Sequence, residues 1–169
     1  VVAVSQTQTA NTLKVFPWII TERFKAEYRV VIQKTSIYAL GNRQIQAVTA
    51  SPLALEGGRP TFIVANESQN WNASNGGTEM YGVLEGNSAK SEGGQARMLF
   101  ICNAYRPGEE SVGERIRLAW EDTQGDDAEF ESFGLMYDSL EAPPHAPLEL
   151  DAVEDVIKAV RGDAVWLDP

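Results

Sequence analysis

Cysteine and histidine each occur once in the 169 residues, as Cys102 and His145. A single thiol cannot close an internal disulfide, and one thiol with one imidazole cannot fill a zinc coordination shell. A disulfide-built secreted scaffold is therefore disfavoured. Cys102, inside the apolar run RMLFICNAY, is expected as a buried small hydrophobe. His145 sits between Pro144 and Pro147 in APPHAP, a poor place to fix a general base beside a nucleophile, which argues against Ser-His-Asp and Cys-His chemistry.

Positive charge is also scarce. Fourteen Lys and Arg face 24 Asp and Glu, for a formal charge of -10. The densest basic stretch, ERFKAEYR, interleaves Arg23, Lys25 and Arg29 with Glu22 and Glu27, so neither nucleic acid nor an anionic membrane is an expected partner. No apolar run approaches bilayer length, and VVAVSQTQTANT lacks the basic start and long apolar stretch of a signal peptide. The absence of an initial Met fits an upstream segment that was removed or left out. Neither LEGGRP nor NASNGG has the spaced glycines and Lys-Ser/Thr of a nucleotide-binding loop, so both are expected to be turns.

What the chain does have is apolar material. Apolar residues make up 43% of it, with four Trp, five Tyr and six Phe, enough for one folded domain with a proper core. In RFKAEYRVVIQ, Phe24, Ala26, Tyr28, Val30 and Ile32 share one parity, the two-residue period of a half-buried strand. ERIRLAW repeats it, with Ile116, Leu118 and Trp120 on one side and Arg115 and Arg117 on the other. TLKVF, QIQAVTA, TFIVAN, EMYGVL, ARMLFIC and FGLMY are short and rich in β-branched or aromatic residues. ALGNR, LEGGRP, NASNGG, SEGGQ and RPGEES supply turn residues between them. Pro17 in VFPWII suggests an edge strand or a bend.

These patterns predict a mainly β fold, an antiparallel β-sandwich or barrel-like domain of about eight strands, with one C-terminal amphipathic helix. The helix falls in LELDAVEDVIKAVRGD, where Leu150, Val153, Ile157 and Val160 recur at helical spacing before Gly162, a C-terminal cap. The expected organisation is a flexible arm over 1–11, a β domain over 12–140, a Pro-rich linker over 141–147, and helix and tail over 148–169.

Two stretches carry candidate ligand chemistry. WEDTQGDDAEF packs five carboxylates into eleven positions, and Asp122, Asp126, Asp127 and Glu129 are the candidate ligands of a calcium ion, a hard cation that takes oxygen donors. The spacing is not that of an EF-hand, and the plainer reading is a hairpin whose hydrated tip discourages edge-to-edge pairing. In NESQNWNASNGG, Trp71 with Asn70 and Asn72 suits sugar stacking with flanking hydrogen bonds. The plainer alternative is an aromatic that ties its own loop to the core. No other cofactor is expected.

With no catalytic constellation, the expectation is a non-enzymatic structural or assembly protein acting through protein–protein contacts, such as a viral or phage capsid, decoration or tail component. Its partners would be protein subunits in a homo-oligomer or larger assembly, and it would be soluble, in a virion. Trp166 and Leu167 in the tail would be assembly contacts, since loose ends gain order by burial on a neighbour. The alternative is a carbohydrate- or calcium-binding β-sandwich module, and the third is a carboxylate-dependent hydrolase.

Overall fold

The computed structural model describes residues 1–49, 52–91, 93, 95–124, 134–147, 149–164 and 166. Contacts divide the chain into two compact units, Val1–Asp122 and Thr123–Pro169, each taken by itself below. The fold is mixed α/β, so the expectation of an antiparallel sandwich or barrel is overturned.

The first unit is built on four parallel strands, β1 (Val2–Ala3), β5 (Val48–Thr49), β6 (Phe62–Asn66) and β7 (Arg97–Ile101), in the spatial order β5-β1-β6-β7. A separate antiparallel sheet contains β2 (Val31–Ile32), β3 (Ser36–Ala39) and β4 (Arg43–Gln46). Its tight β3–β4 turn uses positive φ at Gly41 and Asn42, as ALGNR suggested. TFIVAN and ARMLFIC do form strands, but in a parallel sheet. QIQAVTA divides between β4 and β5.

Residues expected as a flexible arm form the middle of the parallel sheet. Val2 and Ala3 are buried between β5 and β6, because a short apolar strand covered on both faces needs no alternating pattern. Helix α1 (Gln6–Ile19) follows at once and contains TLKVF. Ser5 caps it by accepting a hydrogen bond from the Gln8 N–H at 3.2 Å, and Pro17 sits in its last turn.

Of the two runs with the clearest alternation, ERIRLAW is helical throughout, and RFKAEYRVVIQ is helical up to Tyr28 with Val31–Ile32 in strand β2. Helix α2 (Glu22–Tyr28) starts at Thr21, whose hydroxyl accepts from the Phe24 N–H, and ends at Arg29 in the left-handed region at φ 50°. None of its residues is buried, so no buried face selected the two-residue period. Phe24 and Tyr28 instead meet one helical turn apart, with ring centroids 4.5 Å apart, a favourable i,i+4 pair. ERIRLAW lies in α5 (Val112–Glu121), capped by Ser111, with Arg117 pairing with Glu121 and lying 4.9 Å over the Trp120 ring. EMYGVL lies in α4 (Gly77–Ala89). A further short helix, α3, spans Pro52–Leu55.

The core of this unit joins Val2, Ile63 and Ala65 of the sheet to Met80 and Leu84 of α4, Val112 of α5 and Trp71. In the second unit, α6 (Leu150–Val160) is the helix expected from sequence, with Glu154 paired to Lys158 and Gly162 at φ 56° just beyond its end. Of FGLMY, residues 134–137 are not in a strand.

Candidate functional site

The order β5-β1-β6-β7 means that the chain runs from β1 to one side of it and later returns to the other. In open parallel sheets, ligands bind beyond the carboxyl ends of the strands near such a reversal. At that end of β6 the apolar strand FIVAN runs into Glu67, whose backbone is left-handed at φ 57° and ψ 45°. This is an unfavourable conformation for a residue with a side chain, costing on the order of 1 kcal/mol. A 3-10 turn, Ser68–Asn70, follows directly.

Three contacts hold the turn in place. Trp71 is completely buried and donates from its indole N–H to the Asn66 carbonyl at 3.1 Å. Its own carbonyl accepts from the Val112 N–H at 2.8 Å. Gly113, in the first turn of α5, approaches so closely that an added Cβ would lie 3.0 Å from the backbone N and Cα of Gln69. The turn is thereby clamped between the sheet and the start of α5.

The clamp orients a polar triplet. The Gln69 amide donates to Glu67 Oε2 at 2.6 Å. The Asn103 backbone N–H, two residues past β7, donates to Gln69 Oε1 at 3.2 Å. The Asn103 side-chain amide lies 3.5 Å from both Glu67 oxygens, at the outer limit of hydrogen bonding. Glu67 is half-buried and Asn103 exposed, so the carboxylate is fixed on one side and open to solvent on the other. Such a group can accept a proton from a positioned water.

A second carboxylate fixes the loop after β7. Glu114 is largely buried, and its Oε1 accepts from the Gly108 N–H at 2.7 Å while Oε2 has no hydrogen-bond partner. A cleft of about 370 Å³ lies elsewhere; Lys14, Lys34, Thr35 and Thr49 contribute to its wall, and among the described residues no acidic one lines it.

Trp71 has no exposed face on which a sugar could stack. Asn72 caps the next 3-10 turn, its side chain accepting from the Ser74 N–H, and the Asn70 carbonyl accepts from the Asn75 side chain. Asp122 is exposed at the end of α5, whereas Asp126, Asp127 and Glu129 lie outside the described residues. Among the described residues no cluster of three or more His, Cys, Asp or Glu side chains could hold a metal. Trp166 is 78% exposed, and Leu167 lies outside the described residues. Cys102 is exposed just past β7, not buried, because the apolar run ends one residue before it. Glu67, Gln69 and Asn103 are not among the residues expected from sequence; the local signal for them is an apolar strand ending in Asn66-Glu67, which carries no cluster of acids.

The fold and site define an open parallel α/β unit with an oriented acid at the carboxyl end of its sheet. No family model matches the chain. It is 38% identical over 187 residues to the Gene 13 protein of Mycobacterium phage D29. It is 39% identical over 191 residues to the Gene 13 protein of Mycobacterium phage L5. Both matches cover 99% of this chain but 31% of the relative, so the chain spans less than a third of their length. These similarities are to phage-encoded proteins, which meets the coarse expectation of a phage protein. Among the described residues no helix is long and apolar enough to cross a membrane.

Proposed function

We propose that this chain carries the water-activating half of a nucleoside-triphosphate phosphohydrolase, within a phage protein longer than the chain itself. The observation that carries this reading is Glu67 at the left-handed end of β6, oriented by Gln69 and faced by Asn103 from the end of the neighbouring strand. Phosphoryl transfer asks little covalent chemistry of a protein, so positioning and charge stabilisation supply most of the catalysis. Glu67 takes a proton from water as the water oxygen bonds to the terminal phosphorus. The bond from that phosphorus to the bridging oxygen breaks, leaving phosphate and a nucleoside diphosphate. Asn103 holds the water on the free side of the carboxylate.

The groups that grip the phosphates belong, on this reading, to sequence beyond these 169 residues, because neither glycine-rich stretch here has the required pattern. Acyl-transfer chemistry has less support: the one histidine, His145, is exposed in a Pro-rich stretch beside Pro144. The test is phosphate release from ATP and the other nucleoside triphosphates by the longer phage polypeptide and its Glu67→Gln variant. The expected result is a loss of roughly 100- to 10,000-fold in turnover with nucleotide binding retained. Full turnover in the variant, or no nucleotide binding by the parent, would sink the proposal.

A non-enzymatic capsid, decoration or tail role is the second reading, favoured by the phage similarity and by Trp166 exposed in the second unit. It no longer draws support from a many-stranded β pattern. Mass spectrometry of purified virions separates the two: a stoichiometric virion component without hydrolysis would favour assembly.

A further inference from the structure

Among the described residues, strand β7 is an edge of the parallel sheet, bonded on one side to β6. The Arg97 N–H donates to the Thr61 carbonyl, so strand alternation turns the N–H and C=O of Met98 and Phe100 toward the open side. The register sets Phe62, Val64 and Asn66 of β6 beside Arg97, Leu99 and Ile101 of β7 on one face. The opposite face, with Ile63, Ala65, Met98 and Phe100, packs into the core. Among the described residues the first face is only partly covered: Phe62 is 57%, Leu99 45% and Ile101 46% exposed, with Val64 and Asn66 half-buried.

Parallel sheets are normally covered on both faces, and solvent-facing edges are normally blunted by charge, proline or a bulge. Here MLFI, the stretch after Arg97, contains no charge or proline, and its pairing with β6 is continuous. We infer that this edge and its partly covered face receive a further parallel strand, together with the segment that covers it, from the part of a longer phage polypeptide outside these 169 residues. The relatives supply the length, since this chain matches 31% of each. A parallel partner fits because every neighbour in this sheet is parallel. An aligned strand would end beside Glu67 and Asn103, bringing its following loop to the proposed phosphate site. That last consequence rests on the hydrolase reading; the docking surface does not.

Hydrogen exchange followed by mass spectrometry tests it, comparing the 169-residue chain with the longer polypeptide. The amides of Met98 and Phe100 are expected to exchange roughly 100-fold more slowly in the longer polypeptide, and Cys102 to label more slowly with a thiol reagent. A double substitution there, Leu99→Glu with Ile101→Glu, is expected to restore fast exchange at those amides while Trp71 keeps its buried fluorescence. Equal rates in the two polypeptides would overturn the inference. So would slow exchange in the short chain, whether it persists on dilution, indicating cover from its own second unit, or fades, indicating a second copy. Slow exchange without nucleotide hydrolysis keeps the surface and rejects the hydrolase; hydrolysis with unchanged exchange does the reverse.

Discussion

Helix α4 contains three glycines, Gly77, Gly82 and Gly86, for which the structure predicts opposite responses to one substitution. A Cβ on Gly77 would lie 2.5 Å from the Trp71 Cα, 2.7 Å from its Cβ and 2.9 Å from the Asn72 nitrogen. Two of those atoms are backbone, so a side-chain rotation cannot relieve the clash. Helix and turn must separate, disturbing the loop that holds Glu67. Overpacking in a built core costs about 1–3 kcal/mol, and Gly77→Ala should reach at least the upper end. Nothing lies within 4 Å of a Cβ on Gly82 or Gly86, and both are exposed. There alanine lowers the cost of forming a helix interior, stabilising by up to about 1 kcal/mol each.

Urea denaturation of the 169-residue chain, followed by tryptophan fluorescence, reads both signs. The expected difference between Gly77→Ala and Gly82→Ala is on the order of 4 kcal/mol. For a chain of this size each kcal/mol corresponds to about 2–4 °C in Tm, so thermal melts should rank the variants identically. Gly77→Ala unfolding within 0.5 kcal/mol of the parent, or Gly82→Ala and Gly86→Ala both destabilising, would refute the packing of α4 on Trp71.

Other residues give independent checks. Trp71→Ala should cost about 3–5 kcal/mol, whereas a glycan array should give no signal that depends on Trp71; a preserved melt with lost sugar binding would reverse the assignment. Ser111→Ala removes the cap of α5, whose hydroxyl accepts from the Glu114 N–H at 3.2 Å, and should cost about 1 kcal/mol by urea titration. Burial, then the neighbouring Glu85, raises the Tyr81 phenol well above its ordinary 10.0. The folded state therefore holds that proton more tightly, and stability present below pH 10 should fall as pH rises beyond it. Tyr81→Phe should flatten that decline in alkaline melts, and an unchanged slope would contradict it.

Local chemistry was legible wherever it acted over a few residues. The ALGNR turn, the strand character of TFIVAN and ARMLFIC, and α6 with its terminal Gly162 all follow from neighbours in sequence. Helix starts are legible too: Ser5 with Gln8 and Ser111 with Glu114 have the cap-and-third-residue spacing, which opposes a strand at ERIRLAW.

Alternation misled because it records where polar groups fall, not what covers them. Helix α2 buries nothing, so its two-residue rhythm faces solvent whatever its conformation. Two-residue β1 is too short to show a period at all, yet its place between β5 and β6 makes it central.

The sequence by itself determined the shortage of His, Cys and basic residues, the tight turns, the caps and the apolar strands, because composition and short-range bonding need no tertiary partner. Only the tertiary structure decided that the strands run parallel, that Trp71 is core, and that Glu67, Gln69 and Asn103 meet. Glu67 and Asn103 are separated by 36 residues. Their meeting depends on β6 and β7 pairing in register with α4 between them in the chain, a long-range contact that no local pattern specifies.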